Sequence, residues 1–184
     1  MKYPIILFSS FLFALILFGS SISYYFFQDD FFELNISKAN NIWEYLNFYT
    51  FRSDIIAYRP ISLQNYFFIA HKLFDLNPVG FRTIIFAVFF LSGFLIVKIT
   101  YLLFGNLKIG MATAFLWLTS SVHFMSLTWI AAAYNIIGTF FWLLTSFLFL
   151  NYIKSKKRKY FFLSIFTFIL CVGSFEFSIT WPVI

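Results

Sequence analysis

The sequence predicts an all-α integral membrane protein, with about five transmembrane helices and amphipathic interfacial helices in a large first outer loop. Of its 184 residues, 61% are apolar and 11% are charged, against roughly 45–50% and about 25% in soluble domains. The apolar residues fall in long runs, which a bilayer accepts and a soluble domain of this size could not bury. Five of the 13 basic residues stand together in "KSKKRK", between two such runs.

The predicted spans follow from these runs and from the charges between them. Their bounds are 4–25, 79–104, 109–127, 128–153 and 160–183. With the N-terminus in the cytoplasm, "GNLK" and "KSKKRK" also fall inside, as the positive-inside rule expects. A cleaved signal peptide is the competing interpretation of the first run, but its length and its aromatic end favour a retained helix. The net charge of +6 follows from this topology and does not indicate nucleic-acid binding.

The predicted outer loop, residues 26–77, differs from the rest of the chain because it holds six of the seven acidic residues. Its amphipathic pieces "ANNIWEYLNFYT" and "ISLQNYFFIAHKLF" are too short or too polar to span, so we expect helices that lie along the membrane surface. Pro60 suits the first position of such a helix. Gly105 and Asn106 form a stop signal for the second span.

The chain is interpreted as a single transmembrane domain. Its last residues, "TWPVI", lie within an apolar segment, so we expect residues 1–184 to be the N-terminal part of a longer protein. The one cysteine, Cys171, excludes an internal disulfide and is interpreted as a packing residue.

Two adjacent aspartates open the outer loop in "FFQDDFFELN", residues 26–35. If a helix begins there, Asp30 and Glu33 share one face. Carboxylates in this arrangement suit a general base or a divalent cation, for which Asp30 and Glu33 are the candidate ligands. The alternative is that Asp29 or Asp30 caps the start of a surface helix, where negative charge is favourable.

Four further polar residues are candidates for a site at the outer rim. The guanidinium of Arg59 suits a phosphate, although an interfacial arginine in contact with lipid headgroups is an equal alternative. Glu176 is an acid close to the outer end of the last span, where either a functional role or simple emergence into water explains it. His123 and Asn135 are candidates for substrate binding, and the alternative for each is a purely structural role.

These pieces resemble the N-terminal half of polytopic C-type glycosyltransferases that use polyprenyl-phosphate-linked sugars. This group includes the protein O-mannosyltransferases and the aminoarabinose transferases of lipid A. The resemblance rests on the acidic pair after the first span and on "YRPISLQNYFFIAHKLFDLNPVGFR" leading into the second. "VHFMSLTWIAAAYNIIGTFFWLL" and "GSFEFSITWPV" are similar to two later segments of that family. In this chain Ser174 and Phe175 stand where a lysine is expected, and residues 133–135 replace a basic and acidic patch.

The resemblance implies sugar transfer from a polyprenyl-phosphate donor to a glycan, lipid or protein acceptor on the extracytoplasmic side. Asp30 would be the general base, ahead of Asp29, which is kept as the cap. Arg59 would lie at the leaving phosphate, and Glu176 would match the acid of the later segment. Replacement of Asp30 by asparagine is then expected to abolish transfer. A divalent cation is the one cofactor that the acids suggest.

The alternative function is that of a non-enzymatic polytopic membrane protein, such as a polysaccharide export or flippase component, or a scaffold. A transporter usually places ionisable residues near the bilayer midplane. The predicted spans are almost free of charge at mid-depth, which favours the enzyme.

Overall fold

The computed structural model describes residues 2–51 and 58–183, and every regular element in these two ranges is helical. The all-α prediction is therefore confirmed for this part of the chain, while residues 52–57 of the predicted outer loop lie outside it. The α-helices are α1 (Lys2–Phe18), α2 (Asp29–Ile36), α3 (Ile42–Leu46), α4 (Tyr66–Phe74), α5 (Pro78–Phe104), α6 (Leu107–Leu118), α7 (Phe124–Thr128), α8 (Tyr134–Ser155) and α9 (Arg158–Val172).

Among the described residues, two helices are long and apolar enough to cross a membrane. They are Pro78–Phe104, with 27 residues, and Ile130–Ser155, with 26 residues, in which a 3₁₀ turn continues into α8. At about 1.5 Å per residue each is roughly 40 Å long, more than the roughly 30 Å of a hydrocarbon core. Their most apolar stretches are only 50% and 28% buried, respectively, whereas the core helix of a soluble protein would be mostly covered.

Large apolar side chains are exposed over the outer faces of the shorter helices as well. Ile16 of α1 is 72% exposed, Leu116 of α6 is 69% exposed and Phe162 of α9 is 65% exposed. A soluble monomer rarely exposes apolar patches larger than a few hundred Å². These faces fit contact with lipid chains.

The other predicted spans are shorter or interrupted, so a count of five spans is not confirmed. Helix α6 has 12 residues, or about 18 Å, and ends where the Ser120 hydroxyl accepts a hydrogen bond from the Val122 amide. Helix α9 has 15 residues and ends before Gly173, after which the chain continues as a 3₁₀ segment, Glu176–Val183. Serine can offer the backbone a hydrogen bond outside the helix ladder, which explains the first break.

The short helices predicted within residues 26–77 are present in the described part of that range, while its position outside the membrane stays a prediction. The second piece forms a π-helix, Pro60–Asn65, that runs into α4, and it begins at Pro60 as expected. Gly105 ends α5 with a φ of 66°, a left-handed conformation that favours glycine. Phe67 of α4 and Phe81 and Ile85 of α5 are fully buried together. This core fixes α2 and the π-helix beside the first turns of α5 and α8.

Candidate functional site

Backbone contacts hold the segment after α9 against the π-helix. The Ile61 amide donates to the Gly173 carbonyl at 3.0 Å, and the Ser62 hydroxyl donates to the Ser174 carbonyl at 2.6 Å. A Cβ atom on Gly173 would lie 2.9 Å from Ile61 Cγ1, so glycine permits this close approach. The docking brings Glu176 to the residue that precedes the π-helix, Arg59.

Arg59 and Glu176 form a bidentate ion pair between parts of the chain that are 117 residues apart. Arg59 Nε donates to Glu176 Oε2 at 2.7 Å, and Nη2 donates to Oε1 at 2.6 Å. The guanidinium carbon lies 3.5 Å from the centroid of the Tyr134 ring, at the start of α8. The hydrogen bond from Arg59 lowers the pKa of Glu176 below its usual range. The geometry of this arginine, planar, stacked and paired to two oxygens, is that of an oxyanion-binding group.

Glu33 is a buried carboxyl on α2. It is 8% exposed, and its Oε2 atom has no hydrogen-bond partner among residues 2–51 and 58–183. Burial raises the pKa of Glu33 to about 7, and the charges of Asp29 and Asp30 act in the same direction, while the charge of Arg59 opposes the shift. An isolated carboxylate in a low-dielectric site resists ionisation. Burial therefore disfavours the ionised form of Glu33.

This raised pKa predicts that Glu33 lowers the stability of the protein as the pH rises. Because the folded state holds the proton more tightly than the unfolded chain, the free energy of unfolding falls between about pH 4.5 and 7. The variant Glu33→Gln carries no charge at this position, so it should not lose this stability. At 1.36 kcal/mol per pKa unit, its free energy of unfolding relative to the wild type should rise by up to about 3 kcal/mol between about pH 4.5 and 7. Chemical unfolding in mixed micelles at pH 4.5 and pH 8 measures the difference. An exposed acid, Asp75, supplies the control Asp75→Asn; an equal gain in both variants would contradict the assignment to Glu33.

Asp30 is fully buried, and both of its oxygens are occupied by backbone amides. Oδ2 accepts from the Phe27 amide at 3.1 Å, and Oδ1 accepts from the Ala131 amide at 2.6 Å. Burial raises the pKa of Asp30 and the two amides oppose the shift. The first bond stabilises the start of α2, and the second ties α2 to the turn before α8. Asp29, which the sequence analysis kept as the helix cap, is exposed. The capping contact with a backbone amide is made by Asp30 instead.

Arg82 is a buried residue of this region that the sequence analysis did not select. It is 0% exposed and donates to the carbonyls of Tyr24 at 2.6 Å, Tyr25 at 3.3 Å and Thr128 at 2.8 Å. Its charge also acts on Asp30. The signal was present in the sequence, since a lone arginine inside an apolar span needs partners. Arg82 joins the end of the first apolar segment to the turn after α7.

His123 and Asn135 have described partners away from the Arg59 pair. His123 packs against Trp117 and Phe89, with ring centroids 4.3 and 5.1 Å apart, and burial lowers the pKa of its imidazole. Asn135 donates to the Ser126 hydroxyl at 3.2 Å and to the Ala132 carbonyl at 3.3 Å. The substrate-binding roles predicted for both residues stay predictions.

The structure adds no third ligand to the divalent-cation site predicted at Asp30 and Glu33, within the described residues. Across residues 2–51 and 58–183, no three His, Cys, Asp or Glu side chains come together in a way that could hold an ion. Asp30 and Glu33 share the buried face of α2, as expected, but both Asp30 oxygens already accept amide hydrogen bonds.

An apolar groove of about 380 Å³ lies between the surface helices and the first turns of α5 and α8. Its apolar walls include Ile61, Ile69, Ile84, Val88, Ile137 and Phe140. Asn65 is a polar group on its wall, and the Oδ1 atom of this residue is buried without a partner in the described part of the chain. Ile61 also docks on Gly173, so the π-helix that contributes to the groove wall is the one that follows Arg59.

Comparison of the chain with models of protein families, with curated proteins and with solved structures found no match.

Proposed function

We propose that this chain is part of a membrane glycosyltransferase, which moves a sugar from a polyprenyl-phosphate donor to an acceptor on the extracytoplasmic side. The observation that carries the proposal is the Arg59–Glu176 pair, in which Arg59 stands two residues before Ile61 of the apolar groove wall. A lipid-linked sugar phosphate needs the same two features, a cationic group for the phosphate and an apolar channel for the chain. The resemblance to the C-type glycosyltransferases, on "YRPISLQNYFF" and "GSFEF", adds to this support.

Arg59 is the group that would bind the donor phosphate. Transfer requires stabilisation of the charge that develops on the departing phosphate, and a guanidinium fork provides it. Stacking on Tyr134 holds the fork in one orientation before substrate binds, whereas the Glu176 carboxylate occupies its two donors and would have to be displaced by the phosphate. Side-chain order of this kind lowers the entropy that is lost on binding.

The charge distribution supports a multi-pass arrangement with the N-terminus in the cytoplasm. Lys154 donates to the Leu102 carbonyl, which places the basic "KSKKRK" turn beside the carboxyl end of α5. Arg59, which pairs with Glu176, lies instead on Tyr134 at the start of α8, and α2 contacts the 130–133 turn that precedes α8. Under the positive-inside rule, the basic end is cytoplasmic and the groove opens to the outer leaflet.

The proposal is tested with the purified protein in proteoliposomes. Binding is measured with a synthetic polyprenyl monophosphate and with the same prenyl alcohol lacking the phosphate. Transfer is measured with a pool of radiolabelled polyprenyl-phosphate sugars and membrane-extracted acceptors. We expect the polyprenyl monophosphate to bind more tightly than the prenyl alcohol, and we expect the label to be transferred to an acceptor. Neither binding nor transfer would favour the non-enzymatic scaffold, and movement of the donor across the bilayer without transfer would favour the flippase.

A further inference from the structure

We propose that Asn65 binds a hydroxyl group of the donor's sugar and so contributes to the choice of sugar. The inference rests on the proposed function and assigns a specificity-determining residue within the donor site. The sequence analysis did not select Asn65 as a site residue. It is the last residue of the π-helix that begins directly after Arg59.

The side chain of Asn65 is buried in the groove wall with one polar atom unused. The residue is 7% exposed, its Nδ2 atom donates to the Tyr49 hydroxyl, and its Oδ1 atom has no hydrogen-bond partner among residues 2–51 and 58–183. A buried amide oxygen without a donor is costly to maintain, and most such atoms in proteins are paired. Asn65 therefore offers a ligand a hydrogen-bonding atom that the described part of the chain does not use.

The contact with Tyr49 lets either polar atom of the Asn65 amide serve the ligand. A tyrosine hydroxyl can both donate and accept, so a half-turn of the amide would keep this bond and leave Nδ2 free in place of Oδ1. The Tyr49 hydroxyl also lies 3.4 Å from that of Tyr45, another residue of the groove wall. This hydrogen bond raises the pKa of Tyr45 to about 12, so its phenol is neutral at physiological pH. The three side chains form an uncharged hydrogen-bonding group.

The two kinds of groove wall indicate an apolar chain that carries hydroxyl groups. Ile84 and Val88 of α5 and Ile137 and Phe140 of α8 supply apolar walls for a chain. A chain without a polar group would leave Asn65 unpaired, and a phosphate, whose oxygens accept, could not pair with Oδ1. A sugar hydroxyl both donates and accepts, so it matches either atom of the amide. A lipid-linked sugar meets both requirements.

Arg59 and Asn65 stand at the two ends of one short helix. Pro60–Asn65 is a single π-helix directly after Arg59, and six residues advance about 9 Å along a helix axis at the α-helical rise. In the donor, the sugar is bonded directly to the phosphate. One ligand can therefore place its phosphate at Arg59 and a ring hydroxyl at Asn65.

The test combines one substitution with one change of ligand, using the full chain in proteoliposomes. Binding is measured with a polyprenyl monophosphate and with polyprenyl-phosphate glucose, mannose and N-acetylglucosamine. It is then measured with analogues of the tightest-binding sugar that each lack one ring hydroxyl. In the wild type, loss of one particular hydroxyl should weaken binding about 10-fold. In Asn65→Leu, which has a similar size but no polar atom, the same loss should change the affinity less than about twofold.

Three further measurements separate sugar recognition from structural damage. The affinity of Asn65→Leu for the polyprenyl monophosphate should stay within about threefold of the wild type, because that ligand has no sugar. Tyr49→Phe removes the hydroxyl that holds the amide, so it should reduce the effect of the same sugar hydroxyl. Asn151→Leu changes an amide near the other end of α8 and should match the wild type with every ligand.

An equal effect of that hydroxyl in the wild type and in Asn65→Leu would overturn the inference. Equal loss of affinity for the monophosphate and for the sugars would also overturn it, because Asn65 would then only shape the groove. If Asn65→Leu does not fold, an unchanged effect of the hydroxyl in Tyr49→Phe would overturn it instead. Wild-type binding of the monophosphate without any gain from the three sugars would overturn this inference alone. Absence of monophosphate binding would overturn the proposed function, and the inference with it.

Discussion

Replacement of Arg82 by methionine should destabilise the protein by about 3–5 kcal/mol, the usual cost of removing one partner from a buried charge network. Arg82 is fully buried and donates to three carbonyls from two separate segments. Methionine fills a similar volume but donates no hydrogen bond, so these carbonyls would lose their partner and Asp30 would lose a nearby positive charge. Chemical unfolding in mixed micelles measures the change.

The exposed Arg158, the first residue of α9, provides the matched control. Arg158→Met should change the free energy of unfolding by less than about 0.5 kcal/mol, as expected for an exposed position. Arg82→Lys should lie between the wild type and Arg82→Met, because a single ammonium cannot reproduce the guanidinium fork. Equal stability of Arg82→Met and the wild type would mean that Arg82 does not hold the two segments together.

Arg59→Lys should weaken the binding of a polyprenyl monophosphate by about 10- to 100-fold, if Arg59 binds the phosphate as a bidentate donor. Lysine keeps the positive charge but loses the fork and the stacking on Tyr134. Glu176→Gln should have the opposite effect, because the carboxylate occupies the same two donors that the phosphate needs. Equilibrium binding to proteoliposomes at fixed salt measures both variants.

The opposite signs separate phosphate binding from a structural role for the pair. If Arg59 and Glu176 served only to hold the segment after α9, both substitutions would weaken binding and lower stability together. Lys72→Gln, at an exposed cation on α4, is the control for general attraction of anions. Equal loss of affinity in Arg59→Lys and Lys72→Gln would contradict the phosphate assignment.

Local patterns were enough to predict several elements. The Pro60 start and the Gly105 end are confirmed because each depends on backbone properties of a single residue. The face shared by Asp30 and Glu33 is confirmed because it follows from the helical repeat. The breaks after α6 and α9 were not predicted, since apolar composition continues through them and the competing hydrogen bonds are local.

The sequence by itself determined that this chain is helical and strongly apolar, because composition and periodicity are properties of the residues alone. It also selected Arg59 and Glu176 separately. Only the tertiary structure decided that they pair across 117 residues and that Arg82 is a buried anchor. It also decided that both Asp30 oxygens accept amides, while Glu33 Oε2 has no partner among residues 2–51 and 58–183. Burial and hydrogen-bond partners depend on which segments meet, and two neighbouring acids on one helix face acquire different environments for that reason.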